Sequence, residues 1–256
     1  MLQTRVIPVL LIHKKGLYKT TKFKQAKYVG DPINAIKIFN EKEVDELILL
    51  DIDASKEGRE PDYKMIEKVA SECFMPLCYG GGVKSIDQIR KIFSLGVEKI
   101  SLNHCTLTDS RLIEEASAVF GSQSIVGTVN IKKSFFGKHK LYNHVSKKTL
   151  SKPIKTFLTE LINKGVGEIF INDVDNDGVM EGFNVELLKE LSSNLSVPII
   201  CCGGAGTLEH CRSVIAQTDA SAVSAGSMFV FQGKHRAVLI TYPERNKLDL
   251  LFKGLR

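Results

Sequence analysis

The chain has 256 residues, 43% of them hydrophobic and 25% charged, with a net charge of +6. That length suits one α/β barrel better than two small domains, and a core of that size closes without help from a metal or disulfides. No apolar run approaches the roughly 20 residues of a membrane span, and residues 6–12 lack the length and cleavage pattern of a secretion signal, so a cytoplasmic protein with no membrane partner is expected.

The charge is concentrated. Residues 14–27 hold six lysines and no acid, and residues 132–155 hold eight lysines and no acid, so the rest of the chain is net −8. Such stretches are either solvated surface or a means of steering an anionic ligand. Neither has the aromatic platform or recognition helix of a nucleic-acid binder, so no nucleic-acid partner is expected. Six cysteines, at 73, 78, 105, 201, 202 and 211, form no Cys-x-x-Cys pair, and six histidines show no paired ligand spacing. Reduced core thiols are expected, with no metal and no cofactor. On a strand, the adjacent Cys201 and Cys202 would face opposite ways.

Residues 5–12, RVIPVLLI, read as a strand buried on both faces, because they leave no alternate polar positions. A helix follows from Asp31-Pro32, then a strand over 46–52. DYKMIEKVASECF is helical and MPLCYGGG is a strand closing in glycines. SIDQIRKIFSLG has a Ser85 cap and a Gly96 stop, and the strand VEKISLN comes next. DSRLIEEASAVFG leads to SIVGTVNI, IKTFLTELINKG to GEIFINDVD, NVELLKELSSN to VPIICCGGAG, and LEHCRSVIAQ to ASAVSAGS. Eight strands alternating with helical patterns demand a parallel sheet and suggest its closure into a (β/α)8 TIM barrel, a single domain over 1–256. The text echoes itself at half length: ELILLDIDAS at 46–55 matches EIFINDVDND at 168–177, and residues 80–96 answer 203–219. Duplication of a half-barrel explains both matches.

In such a barrel the ligand site lies at the C-terminal ends of the strands. Glycines there let backbone N–H groups cradle a phosphate. Gly80, Gly81 and Gly82 with Asn103 form one candidate cradle. Gly178 beside Asp177, Gly203 with Gly204, and Gly226 with Ser227 form a second. Two related cradles point to a ligand with two phosphates or two anionic ends.

RVIPVLLI, GDP, LLDIDAS, GGGV, EKISLN, FGSQSIV, GVGEIFINDVDNDG and PIICCGGAG lie in order over essentially the whole chain, and in this set the sequence resembles the cyclase subunit of imidazole glycerol phosphate synthase. The resemblance implies a (β/α)8 barrel that pairs with a glutaminase as a heterodimer, receives ammonia through its core and uses it at the top face on a bisphosphorylated substrate. It assigns Arg5, Glu46, Lys99 and Glu168 to a charged ring at the bottom that controls ammonia entry; the alternative is a plain stabilising salt-bridge cluster. Lys19, Asp51, Ser55, Asn103, Asp177, Gly178, Gly204 and Ser227 match its substrate-site positions.

The family's two catalytic aspartates do not match. Leu11 and Asn130 stand in their places, and neither can transfer a proton near neutral pH, where loss of one acid or base typically costs about 10²–10⁴-fold in rate. His104 stands where the family has a small phosphate-binding residue, as a new acid/base or a filler. Three functions follow. The first is an ammonia-channelling subunit of a glutamine amidotransferase, supplying ammonia for amidation of a sugar in surface polysaccharide (lipopolysaccharide) biosynthesis. It binds a glutaminase at the bottom face and a sugar amidotransferase or an anionic small molecule at the top. The second is a working cyclase (a lyase of histidine biosynthesis) that uses His104, Lys19 or Asp177 for protons. The third is a non-catalytic scaffold for the glutaminase.

Overall fold

The computed structural model describes residues 4–255. Eight parallel strands pair in a closed cycle: β1 (Arg5–His13), β2 (Leu47–Asp51), β3 (Leu77–Gly80), β4 (Lys99–Leu102), β5 (Ile125–Lys133), β6 (Glu168–Asp173), β7 (Ile199–Cys202) and β8 (Ala222–Ala225), which returns to β1. This is the expected (β/α)8 barrel, and its strands are apolar on both faces for a geometric reason. Val6, Leu10 and Ile12 face the outer layer of helices, while Ile7 and Val9 face a separate inner cluster with Ile48, Val126, Phe170 and Ile200. Cys201 and Cys202 divide in the same way, one to each cluster.

Local signals fix the helices. Asp31 accepts N–H bonds from Ile33 and Asn34 ahead of Pro32 at the start of helix Pro32–Glu41. Ser85 caps Ile86–Ser94, and Gly96 follows with φ +99. The half-barrel echo extends to single hydrogen bonds. Asp51 Oδ1 accepts from the N–H groups of Asp53 and Ala54 at 3.0 Å, and Asp173 Oδ1 accepts from Asp175 at 3.2 Å. Ser85 and Thr207 cap equivalent helices, each accepting an N–H three residues on at 3.3 Å.

The lysine-rich stretches are ordered ribbons. After β1 the chain runs back as Gly16–Thr21 and forward again as Lys24–Gly30, antiparallel to one another. The two turns place Lys14 and Lys15, then Lys22 and Phe23, at φ between 48° and 63°. That is the primed-turn geometry usually made with Asn and Gly, so turn chemistry gives no warning of it. Likewise β5 runs past Asn130 to Lys133 and pairs antiparallel with His139–Asn143. The tip of this second ribbon exposes Phe135 and Phe136 almost completely. Among the described residues no helix is long and apolar enough to cross a membrane.

Candidate functional site

A cavity of about 680 Å³ opens at the C-terminal ends of the strands. Of the residues expected there, Leu11, Lys19, Asp51, Ser55, Gly81, Gly82, Asn103, His104, Asn130, Asp177, Gly226 and Ser227 line it. Gly178 and Gly204 do not. The Gly178 α-carbon packs on the Thr20 backbone, and Arg236 donates to the Gly178 carbonyl at 3.1 Å; the Gly204 carbonyl accepts the N–H of Gly182 at 2.8 Å.

Leu11, whose position in an apolar strand suggested full burial, is half-buried and faces the cavity. Asn130 is 7% exposed and its Nδ2 donates to Asn103 Oδ1 at 3.2 Å. Asp51 directs its carboxylate into its own turn and to Arg59 Nη2 at 2.8 Å, so a partner already neutralises it. Lys19 reaches inward, donates to the Val9 carbonyl and lies against Gly226. Burial lowers its pKa to about 8 although Asp177 opposes the shift, and burial raises Asp177 to about 6 against the pull of Lys19 and Thr20. Each of the two therefore titrates within about a unit or so of neutrality.

Two wall residues had no sequence signal: Asn172 comes from the end of β6, and His144 from the end of the ribbon that extends β5. His144 Nδ1 lies 3.1 Å from Asn103 Oδ1, and its ring meets the His104 ring edge-on at 6.2 Å. Burial, then Lys56 and His104, lower the His144 pKa to about 4, so the ring is neutral in physiological buffer. Only the β5 hairpin, invisible in the periodicity, could have led to His144. Lys22, Lys24, Lys56, Lys84 and Lys147 also line the cavity, giving it a basic rim suited to an anionic ligand. Among the described residues no cluster of three or more His, Cys, Asp or Glu is placed to hold a metal ion.

At the other end of the barrel Arg5, Glu46, Lys99 and Glu168 meet in a closed ring. Arg5 Nη1 is 2.5 Å from Glu46 and its Nη2 bonds Glu168. Lys99 Nζ lies 2.9 Å from Glu46 and 3.0 Å from Glu168. Burial works against both cations, yet the two glutamates outweigh it and hold the pKa values of Arg5 and Lys99 above the ordinary range. Above the ring the lumen is the apolar inner cluster, and it ends at the cavity floor in Val9, Leu11, Leu50, Phe170 and Cys202.

A closed (β/α)8 barrel with a basic pocket at the strand C-termini and a charged ring across the opposite end defines the class: a TIM barrel whose ligand pocket lies at the carboxyl ends of its strands. Residues 5–236 match the family described as Histidine biosynthesis protein, and the chain belongs to that family. Relatives carry provisional names as imidazole glycerol phosphate synthase subunits. One from Pseudomonas aeruginosa, hisF2, is 54% identical over 98% of this chain and 100% of its own length. One from Vibrio vulnificus, hisF3, is 48% identical over 95% of this chain and 94% of its own. One from Leptospira borgpetersenii is 44% identical over 98% of this chain and 100% of its own.

Proposed function

We propose that this barrel is the ammonia-conducting subunit of a glutamine amidotransferase complex. A glutaminase seats on the bottom face, and ammonia leaves at the top for amidation of a sugar in surface-polysaccharide biosynthesis. The observation that carries this reading is the pairing of an intact four-residue ring with a cavity floor that holds Leu11 and Asn130. Four charges held in one ring at a barrel's end favour a matched device, since each is expensive to bury without its partners. A floor without a free carboxylate at β1 or β5 has no general acid and base to work on opposite sides of a substrate. The basic rim and the exposed Phe135–Phe136 tip support a top face that meets an anionic sugar derivative or the sugar amidotransferase that uses it.

The test has two arms. With free ammonia and the bisphosphorylated ribonucleotide substrate of the histidine pathway, turnover by the chain alone is expected at least about 10⁴-fold below that of a cyclase with both aspartates. Turnover at that cyclase's rate overturns the proposal. In the complex with its glutaminase, Lys99→Met is expected to leave glutamine hydrolysis running while the nitrogen escapes to bulk solvent. Unchanged transfer reduces the ring to a stabilising cluster. A working cyclase is the second reading; Lys19 and Asp177, both titrating near neutrality across one cavity, are the observation in its favour.

A further inference from the structure

We propose that the ribbon extending β5 is a membrane-surface anchor: Phe135 and Phe136 enter the interface of an anionic bilayer, and the lysines behind them hold the lipid headgroups. This is independent of the conduit reading, since a barrel resting top face down leaves its bottom ring open to a glutaminase. The sequence predicts no membrane partner because it lacks a spanning segment, and a surface contact needs none.

The tip is built to project. The Gly137 N–H donates to the Ser134 carbonyl at 3.0 Å and the Ser134 N–H to the Lys138 carbonyl at 2.8 Å, closing a tight turn with Phe135 and Phe136 at its two central positions and Gly137 at φ +77. Those central positions ordinarily take Pro, Asp, Asn, Gly or Ser. Here they hold two almost fully exposed rings that meet edge to face, with centroids 5.5 Å apart. Behind them Lys133 and Lys138 are exposed, and Lys132 stands directly opposite Lys140 in the antiparallel register. Like charges placed so weaken a ribbon. Among the described residues carboxylates pair with Lys152 and Lys155 of this stretch, and with none of the six lysines nearer the tip. Phe23 of the other ribbon packs on Tyr142 with centroids 6.3 Å apart, and Lys132 Nζ lies 4.9 Å from the same Tyr142 ring, so both lysine-rich stretches meet on one face.

Two features choose a bilayer over a protein. Neither lysine-rich stretch contains an arginine. Protein interfaces favour arginine and are depleted in lysine, whereas clustered basic side chains of either kind are drawn to anionic headgroups. A two-ring knob also needs a complementary socket in a protein, while a bilayer interface rewards buried apolar area and charge without one. A second copy of this chain would bring lysines against lysines. Outside the two stretches the chain is net −8, so an anionic surface attracts this face and repels the rest, which turns the cavity mouth toward the headgroups. One weak signal gives only marginal, reversible membrane binding, so both the rings and the lysines are required.

The experiment exploits a chain without tryptophan, in which Phe136→Trp places the sole indole at the tip. The full chain is mixed with vesicles of equal parts phosphatidylcholine and phosphatidylglycerol, or of phosphatidylcholine alone, at low and at physiological salt. Binding is read by flotation, and for Phe136→Trp also by tryptophan emission. Anionic vesicles are expected to float the chain and shift the emission to the blue, while phosphatidylcholine alone binds at least about tenfold more weakly and salt loosens the complex. Phe135→Ser/Phe136→Ser and Lys133→Gln/Lys138→Gln, with urea midpoints unchanged, are each expected to weaken binding about tenfold or more. No flotation, flotation that either double variant leaves unchanged, or emission that does not move on bound vesicles overturns the proposal. Absence of flotation together with lost nitrogen transfer in the assembled complex of Phe135→Ser/Phe136→Ser also overturns it, and assigns the tip to a protein partner.

Discussion

Replacing Lys99 with methionine leaves two carboxylates of the bottom ring with Arg5 alone between them. Lys99 Nζ lies 2.9 Å from both oxygens of Glu46 and 3.0 Å from Glu168, whose side chains are 3% and 6% exposed. Breaking a buried ion pair by removing one partner costs about 3–5 kcal/mol. Lys99 is itself 20% exposed and Arg5 keeps its bonds to both acids. Solvent screening and residual pairing thus remove roughly half, and a loss of about 2 kcal/mol is expected. Methionine preserves most of the packing of the lysine stem, so the figure reports charge more than volume. The assay is urea unfolding of the isolated chain at neutral pH, with the denaturant slope unchanged. In a Glu46→Gln/Glu168→Gln background the same replacement is expected to cost under about 1 kcal/mol, because the ammonium no longer has carboxylates to neutralise. A loss below about 0.5 kcal/mol in the native background, or equal losses in both, refutes a buried matched ring and leaves a solvated cluster.

Further outcomes follow from the same structure. Gly81 has φ +125, and a Cβ there would stand 2.4 Å from the Asp51 carbonyl oxygen, so Gly81→Ala is expected to lose about 2–3 kcal/mol in the same urea assay. Lys19 folds with a pKa near 8 against an ordinary 10.5, so between those values the unfolded chain binds the extra proton and stability rises with pH; the difference between the native chain and Lys19→Met is expected to show that slope, and a flat difference refutes the depressed value. Phe135→Ser with Phe136→Ser touches side chains that are 98% and 86% exposed, so stability should stay within about 0.5 kcal/mol while solubility rises; a larger loss means that the tip packs on its own barrel.

The barrel was legible because its signals are local and repeated: caps at Asp31 and Ser85, a glycine stop at Gly96, and inner and outer faces both filled with apolar residues. Arg5, Glu46, Lys99 and Glu168 were legible only through family resemblance, since nothing in spacing alone says that residues 163 apart share an ion pair. The ribbons were missed because their turns use Lys14-Lys15 and Lys22-Phe23 in left-handed conformations, which carry no Gly or Asn signature. With the β5 ribbon went His144, whose place in the cavity depends on where that hairpin folds back. Of the second glycine cradle, Asp177, Gly226 and Ser227 line the cavity, while Gly178 and Gly204 stand outside its lining, packed against Thr20 and Gly182.

Leu11 and Asn130 make physical sense as a pair. Leu11 borders the inner cluster with Leu50, and Asn130 is 7% exposed and bonded to Asn103. An aspartate at 11 would stand where the cavity floor meets the apolar inner cluster, with Lys19 already bonded to the Val9 carbonyl, so partial burial would raise its pKa. Restored at 130, it would lose the N–H that Asn103 Oδ1 now receives and, once ionised, set two acceptors against each other. Leu11→Asp/Asn130→Asp is therefore expected to be less stable than either single change added to the other, by urea unfolding, because two carboxylates then share one floor with no added cation. Additive losses would mean that the two positions do not sense each other across the cavity.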